Sequence, residues 1–234
     1  ANTIFVLSED MKKQLINCGC NKDKLKVLHL GVDCDVFKNE NHEEKDKKDK
    51  ILFLVVANFV KKKGIQNIIK AFSKLNKLSS DSELRIVGRG PLENKLRAQV
   101  KSLKIEEKVK FINNYQLENP RNYVIQSMSE ADIFILPGFI SKDDYGGTPI
   151  VLMEAGSMQL PSITANNAGN SEIVLNGETG IVLENLNTIE MVKAMNFLIE
   201  NNQIRREFGL NARKYIFENF NLNYQVDKLM NFYK

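Results

Sequence analysis

The sequence predicts an α/β fold, a Rossmann-like doubly wound parallel sheet, and three observations carry the prediction. Short apolar runs alternate with segments whose apolar residues recur at helical spacing, the pattern of a parallel sheet covered on both faces. Those runs stop at strong turn signals, among them Gly88-Arg89-Gly90-Pro91 and Pro137. The chain has 234 residues, 43% of them hydrophobic and 26% charged, enough for a real core under an ordinary soluble surface. At roughly 100–200 residues per domain this is one large domain or one and a half small ones.

The elements follow in order. Residues 3–7 read as a strand, Ser8 caps a helix over 9–18, and 26–29 is another short strand. A polar stretch from 38 to 50 has no apolar residue and reads as a tether. Residues 51–57 form a continuous apolar run, a buried strand. Ile65, Ile68, Ile69, Phe72 and Leu75 make the stripe of a helix over 65–78. A second buried strand covers 84–87, and a helix over 92–103 carries Leu92, Leu96, Val100 and Leu103 on one face. Residues 109–112 are a strand, 123–128 a short helix, and 132–136 a strand stopped by Pro137. A helix over 149–158 has Thr148 at its N-cap and Pro149 in its first turn. Short strands at 162–164 and 180–182 precede helices over 188–199, 203–218 and 222–233.

Composition excludes several classes. The net charge is +4, and residues 43–50 (EEKDKKDK) interleave acids with lysines, a solvated linker rather than a nucleic-acid patch. The longest apolar runs fall far short of the ~20 residues that cross a bilayer, and residues 1–8 lack the features of a signal peptide. Three cysteines, Cys18, Cys20 and Cys34, offer neither a zinc set nor an even disulfide framework, and read as reduced structural thiols. A dinucleotide-dependent oxidoreductase would want Gly-x-Gly-x-x-Gly after the first core strand; this chain has Asn58-Phe-Val-Lys-Lys-Lys-Gly64.

Ligands in open α/β sheets bind beyond the carboxyl ends of the strands. The loops to inspect are therefore 58–64, 88–91, 113–115, 138–148 and 166–172. Five motifs lie along this path. They are Lys26-Val-Leu-His-Leu-Gly31-Val32-Asp33 with Phe37, Val60-Lys-Lys-Lys-Gly64, and Ile86-Val-Gly-Arg-Gly-Pro91. The others are Gly147-Thr148-Pro149-Ile-Val-Leu-Met-Glu154-Ala155, and Ala168-Gly169-Asn170-Ser171-Glu172 with Asn176-Gly177-Glu178-Thr179-Gly180. In order and position they resemble the carboxyl-terminal domain of the family-4 retaining glycosyltransferases, one half of the two-domain GT-B fold.

The resemblance implies a domain that binds a nucleotide-diphosphate sugar. The lysine matching Lys63 contacts the diphosphate, and the glutamate matching Glu154 holds the ribose hydroxyls. Ile112 and Asn113 lie where that family reads the base, largely through backbone groups. Donor contacts are also expected from Asn58, Gly64, Gly88, Gly146, Gly147, Thr148, Pro149, Gly169 and Glu172. Elementary chemistry agrees. A diphosphate leaving group needs preorganised positive charge, which a lysine point charge and free N–H groups at a helix start can supply. A carboxylate near a helix start can accept two hydroxyl hydrogen bonds. No essential metal and no cofactor are implied; the nucleotide sugar is a substrate.

Bland readings stand beside these. Residues 61–63 suit a solvated helix start, Glu154 a surface acid, Gly88 and Gly90 turn glycines, Glu172 a helix cap, Arg89 an exposed cation and His29 a structural residue. Two positions depart from the resembled pattern. Gly146 stands where a glutamate usually meets the donor sugar, with Asp143 and Asp144 close by. Asn58 stands where an arginine commonly binds phosphate. Charge-assisted bonds are roughly twice as strong as neutral ones, and losing one costs about 1.5–3 kcal/mol.

The expected organisation is a tail of a preceding amino-terminal domain over 1–37, a tether over 38–50, the donor domain over 51–220 and a crossover helix over 221–234. The expected activity is sugar transfer to an acceptor hydroxyl with retention, in polysaccharide or glycolipid synthesis. A non-catalytic nucleotide-binding subunit is the alternative. Expected partners are the donor, an amino-terminal acceptor domain or chain, and a membrane touched peripherally through a lipid-linked acceptor; nucleic acid is not expected. The expected location is the cytoplasm, at the inner face of the membrane, and these 234 residues alone are expected to be inactive.

Overall fold

The computed structural model describes residues 2–39, 50–76, 82–138, 148–167 and 169–233. Six parallel strands form the main sheet: β3 (Ile51–Val56), β4 (Ser82–Val87), β5 (Val109–Ile112), β6 (Ile133–Leu136), β7 (Ser162–Ala165) and β8 (Gly180–Leu183). Their order is β5-β4-β3-β6-β7-β8. The sheet grows one way from β3 through β4 to β5 and the other way through β6 to β8. The switch point therefore falls between β3 and β6, where an open α/β sheet leaves a crevice at its carboxyl edge.

Period-two alternation divides the core into two layers. Phe53, Val55, Leu84, Ile86, Ile133 and Ile135 face α2 (Ile65–Leu75), α3 (Glu93–Ser102) and α7 (Thr188–Glu200). Leu54, Val87, Phe134 and Leu136 face α4 (Pro120–Glu130), α5 (Ile150–Ser157) and α8 (Asn202–Phe220). Val32, Cys34 and Phe37 belong to this second layer.

A smaller unit precedes the sheet: β1 (Ile4–Val6), α1 (Glu9–Asn17) and β2 (Leu25–Val27), with β1 and β2 paired in parallel. It meets α9 (Leu222–Asn231) through Phe5 and Phe232, whose ring centroids are 5.0 Å apart. Val32 and Asn221 form a bridge, with Val32 N–H donating to the Phe220 carbonyl at 2.8 Å and Leu222 N–H to the Val32 carbonyl at 2.9 Å. His29 is structural: Nδ1 lies 3.1 Å from the Leu7 carbonyl and the ring packs on Phe220.

Several local expectations shift. The fourth helix begins at Pro120 rather than at 123, because Asn119 caps it by accepting from Asn122 N–H. The fifth begins at Ile150 with Pro149 as its cap. Thr148 does not cap it: its hydroxyl donates to the Leu7 carbonyl at 3.1 Å. Residues 170–173 form a short helix, α6 (Asn170–Ile173), too brief to show periodicity in the sequence. Most of the tether expected over 38–50, and the glycines at 146 and 147, lie outside the described residues. Among the described residues no helix is long and apolar enough to cross a membrane.

Candidate functional site

The loops after β3, β4, β5, β6 and β7 share one edge of the sheet because every strand runs the same way. After β3 the chain makes a 3-10 turn over Lys61–Lys63 and enters α2 through Gly64 at φ +66°, a left-handed conformation that suits glycine. Lys61 and Lys62 are exposed, whereas Lys63 is half-buried. Gly64 lies against the end of β6: a Cβ there would sit 3.4 Å from Pro137 Cγ. Asn167, after β7, ties to the same place by donating from Nδ2 to the Gly138 carbonyl at 3.0 Å. Lys63 and Gly64 thus stand at the switch point, beside Pro137, Gly138 and Asn167.

The loops after β3 and β4 are packed backbone to backbone. A Cβ on Gly88 would come within 2.1 Å of the Ala57 carbonyl oxygen, and one on Gly90 within 2.7 Å of Phe59 N. Phe59 N–H donates to the Arg89 carbonyl at 2.8 Å, and Gly88 N–H to the Ile112 carbonyl at 2.9 Å. Packing alone therefore requires glycine at 88 and 90. Asn58 is exposed between these loops. Beyond Ile112, the half-buried Asn113 leads into a 3-10 turn over Asn114–Gln116. There the Arg89 guanidinium carbon lies 4.1 Å from the centre of the Tyr115 ring.

Glu154 sits in the middle of α5, half-buried. Burial pushes its carboxyl above the ordinary range, and the Arg121 guanidinium partly opposes the shift. Arg121 is held over the Phe37 ring, 5.4 Å from its centre. Phe37 is fixed in turn, since its carbonyl accepts from Ser157 Oγ and Arg213 Nη1, each at 2.7 Å. The Glu154 carboxylate accepts no hydrogen bond from another described side chain or backbone group.

Gly169 and Glu172 behave differently. Gly169, at φ +79°, precedes α6, and a Cβ there would lie 3.2 Å from Ser8 Cβ. Both Glu172 oxygens are engaged: they accept from Glu9 N–H at 3.0 Å and Asp10 N–H at 3.1 Å. With Ser8 Oγ accepting from Met11 N–H, they satisfy the open end of α1. Glu172 does cap a helix, one about 160 residues away in sequence. The fold thus gathers Lys63, Gly64, Asn58, Gly88, Ile112 and Asn113 along one sheet edge, while Thr148 and Glu172 hold the first unit in place. Arg121 carried no sequence signal; Phe37 stood in the first motif and Tyr115 in the loop over 113–115, neither with an assigned role. Among the described residues no group of His, Cys, Asp and Glu could hold a metal ion.

Residues 37–215 match the family model for glycosyl transferases group 1. The chain belongs to that family. It is 29% identical, over 178 residues, to the amylovoran biosynthesis glycosyltransferase AmsK of Erwinia amylovora, covering 76% of this chain and 42% of that one. The group 1 chain spans about half the length of the curated relatives it matches, from 42% of AmsK to 61% of CapM of Staphylococcus aureus, to which it is 25% identical over 250 residues. Its fold is that of HepE from Anabaena, solved in complex with UDP: TM-score 0.86, 18% identity, 99% of this chain and 63% of that one. It also matches the carboxyl-terminal domain of a group 1 protein from Francisella tularensis: TM-score 0.71, 19% identity, 82% of this chain and 100% of that one.

Proposed function

We propose that this group 1 chain is the donor half of a family-4 retaining glycosyltransferase with the GT-B fold, binding a nucleotide-diphosphate sugar over residues 51–220. The observation that carries the reading is Glu154, a half-buried carboxylate with a raised titration range and no hydrogen-bond donor from the described protein. Ribose supplies two hydroxyl donors that match it. Lys63, at the switch point, supplies charge to the diphosphate, joined by backbone N–H groups around Gly147 and Gly169.

An acceptor hydroxyl attacks the anomeric carbon on the face the diphosphate leaves. The bond from that carbon to the phosphate oxygen breaks, its electron pair stays with the diphosphate, and the hydroxyl proton passes to a phosphate oxygen. The acceptor is held by an amino-terminal domain or partner chain. The setting is polysaccharide or glycolipid assembly at the cytoplasmic face of a membrane; the similarity to AmsK, an amylovoran biosynthesis enzyme, and to the capsular polysaccharide biosynthesis glycosyltransferase CapM of Staphylococcus aureus supports the polysaccharide part.

Calorimetry with UDP, GDP and ADP tests the reading. At least one should bind, and Lys63→Ala should weaken it about tenfold or more, as the loss of a charge-assisted bond predicts. Unchanged affinity in Lys63→Ala would overturn the phosphate assignment, and no binding by any nucleotide would overturn the donor site. Asn58 favours a second reading, a nucleotide-binding subunit without turnover, because this exposed side chain is neutral. Gly146→Glu should raise turnover in a working transfer assay if that position meets the donor sugar.

A further inference from the structure

We propose that Cys18 and Cys20 form a thiol–disulfide exchange site whose substrate is a low-molecular-weight disulfide of the oxidised glutathione class. The site lies at the end of α1 and does not rest on the donor-site reading. Free cysteines are among the most buried side chains. Cys34 follows that rule: it is 2% exposed, its Sγ donates to the Val32 carbonyl at 3.7 Å, and burial pushes its thiol up. Cys18 is exposed and Cys20 half-buried. Neither belongs to a core cluster, and neither thiol has a hydrogen-bond partner among the described residues. Packing therefore does not account for them.

The backbone brings the two cysteines together. α1 ends at Gly19, whose φ of +90° is the left-handed conformation that glycine takes without steric cost. Gly19 N–H donates to the Ile16 carbonyl and Cys20 N–H to the Leu15 carbonyl, both at 2.9 Å. This pair of bonds closes the helix end and fixes the chain on both sides of the glycine. Residues two apart in an extended chain have Cα atoms about 7 Å apart. The turn at Gly19 shortens that span into the roughly 4.4–6.8 Å that a disulfide bridges. A Cβ at Gly19 would meet no atom within 4 Å, so the turn is open to an incoming reagent.

Exposure assigns the order of attack. Cys18, the more exposed, attacks one sulfur of the small disulfide as its thiolate. The S–S bond of the reagent breaks, one thiolate leaves, and a mixed disulfide remains on Cys18. Cys20 then attacks the Cys18 sulfur and expels the second thiolate. The two cysteine protons end on the two departing thiolates. The protein loses two electrons and the reagent gains them. The product lies in solvent, and exposed disulfides are the labile ones, so excess thiol reverses it. While it lasts, α1 carries a covalent tie at the end opposite Ser8 and Glu172.

The test is mass spectrometry on the reduced 234-residue chain, treated with oxidised glutathione and then quenched with an alkylating reagent. The parent should lose two hydrogens, keep no glutathione, and map to a Cys18–Cys20 bond that excess reduced glutathione reopens. Cys34 is the buried control, alkylated only after denaturation. Cys20→Ser should keep one full equivalent of glutathione on Cys18, where the parent keeps none. Cys18→Ser should accumulate far less adduct. Both side chains lie outside the core, so thermal melts of the reduced variants should match the parent. Separate glutathione adducts on Cys18 and Cys20 of the parent, without ring closure, overturn the proposal. So does an unreacted Cys18, or a bond from either cysteine to Cys34 or to a second chain. Equal adduct in the two variants overturns the order of attack.

Discussion

Burial raises the Glu154 carboxyl above its ordinary 4.5, with Arg121 only partly opposing the shift. For an acid shifted upward, the folded state holds the proton longer than the unfolded chain. Its contribution to stability is complete below 4.5 and is lost as pH rises through the raised folded value. At neutral pH the ionised carboxylate is thus a burden on the fold. Glu154→Gln should melt higher than the parent at pH 7, and the gain should shrink as pH falls toward and below 4.5, while nucleotide affinity drops at neutral pH. A lower melting temperature at pH 7 would mean that the carboxylate is held by a favourable partner. Gly88 makes the opposite case. A Cβ there meets the Ala57 carbonyl oxygen at 2.1 Å, at φ +143°, so Gly88→Ala should destabilise by about 1–3 kcal/mol in thermal denaturation. The sequence shows both residues but not their reasons. Lys61, Lys62 and Lys63 are indistinguishable by type, and only the turn over Lys61–Lys63 buries the third. Arg121, in the first turn of α4, lies over Phe37 and acts on Glu154 in α5, so no local spacing joins the three.

At the scale of elements, caps decided what periodicity could not. The main strands are legible as short continuous apolar runs stopped by turn signals, and the long helices because their apolar residues repeat at period 3.6. The start of α4 is written in Asn119-Pro120, a cap followed by proline, and a reading anchored on Tyr123 passes over it. α1 is the clearest instance of an element stabilised at its end. It has no fully buried side chain, and isolated helices this short are marginal in water. Its first N–H groups are met by Ser8 and by both oxygens of Glu172. Glu172→Ala removes two acceptors at once, and cap losses run about 0.5–2 kcal/mol each. Amide exchange at Glu9 and Asp10 should accelerate in that variant while α2 and α5 keep their protection. Unaltered exchange at both amides would show that solvent serves α1 as well as Glu172 does.

At the scale of the molecule, the doubly wound sheet followed from the alternation of runs and stripes, and the switch point between β3 and β6 places the site. The seating of the first unit was not legible, because its contacts join residues far apart in sequence. Thr148 reaches Leu7, Glu172 reaches α1, and Val32 bridges Asn221. The last of these turns on Gly31. A Cβ at Gly31 would lie 2.5 Å from Leu222 Cα and 3.0 Å from Leu222 N. Both are backbone atoms, so no side-chain rotation relieves the clash. Gly31→Ala must push the start of α9 away from Val32. That strains the Leu222 N–H bond to the Val32 carbonyl at 2.9 Å and, further along, the 5.0 Å contact of Phe5 with Phe232. The six-stranded sheet does not pass through this contact. Hydrogen exchange should therefore rise together in β1, β2 and α9, while β3, β4 and β6 keep parental protection and nucleotide affinity is retained. A rise confined to α9 would show that the first unit is held by Thr148 and Glu172 alone. Loss of protection throughout the sheet would show that the two parts unfold as one.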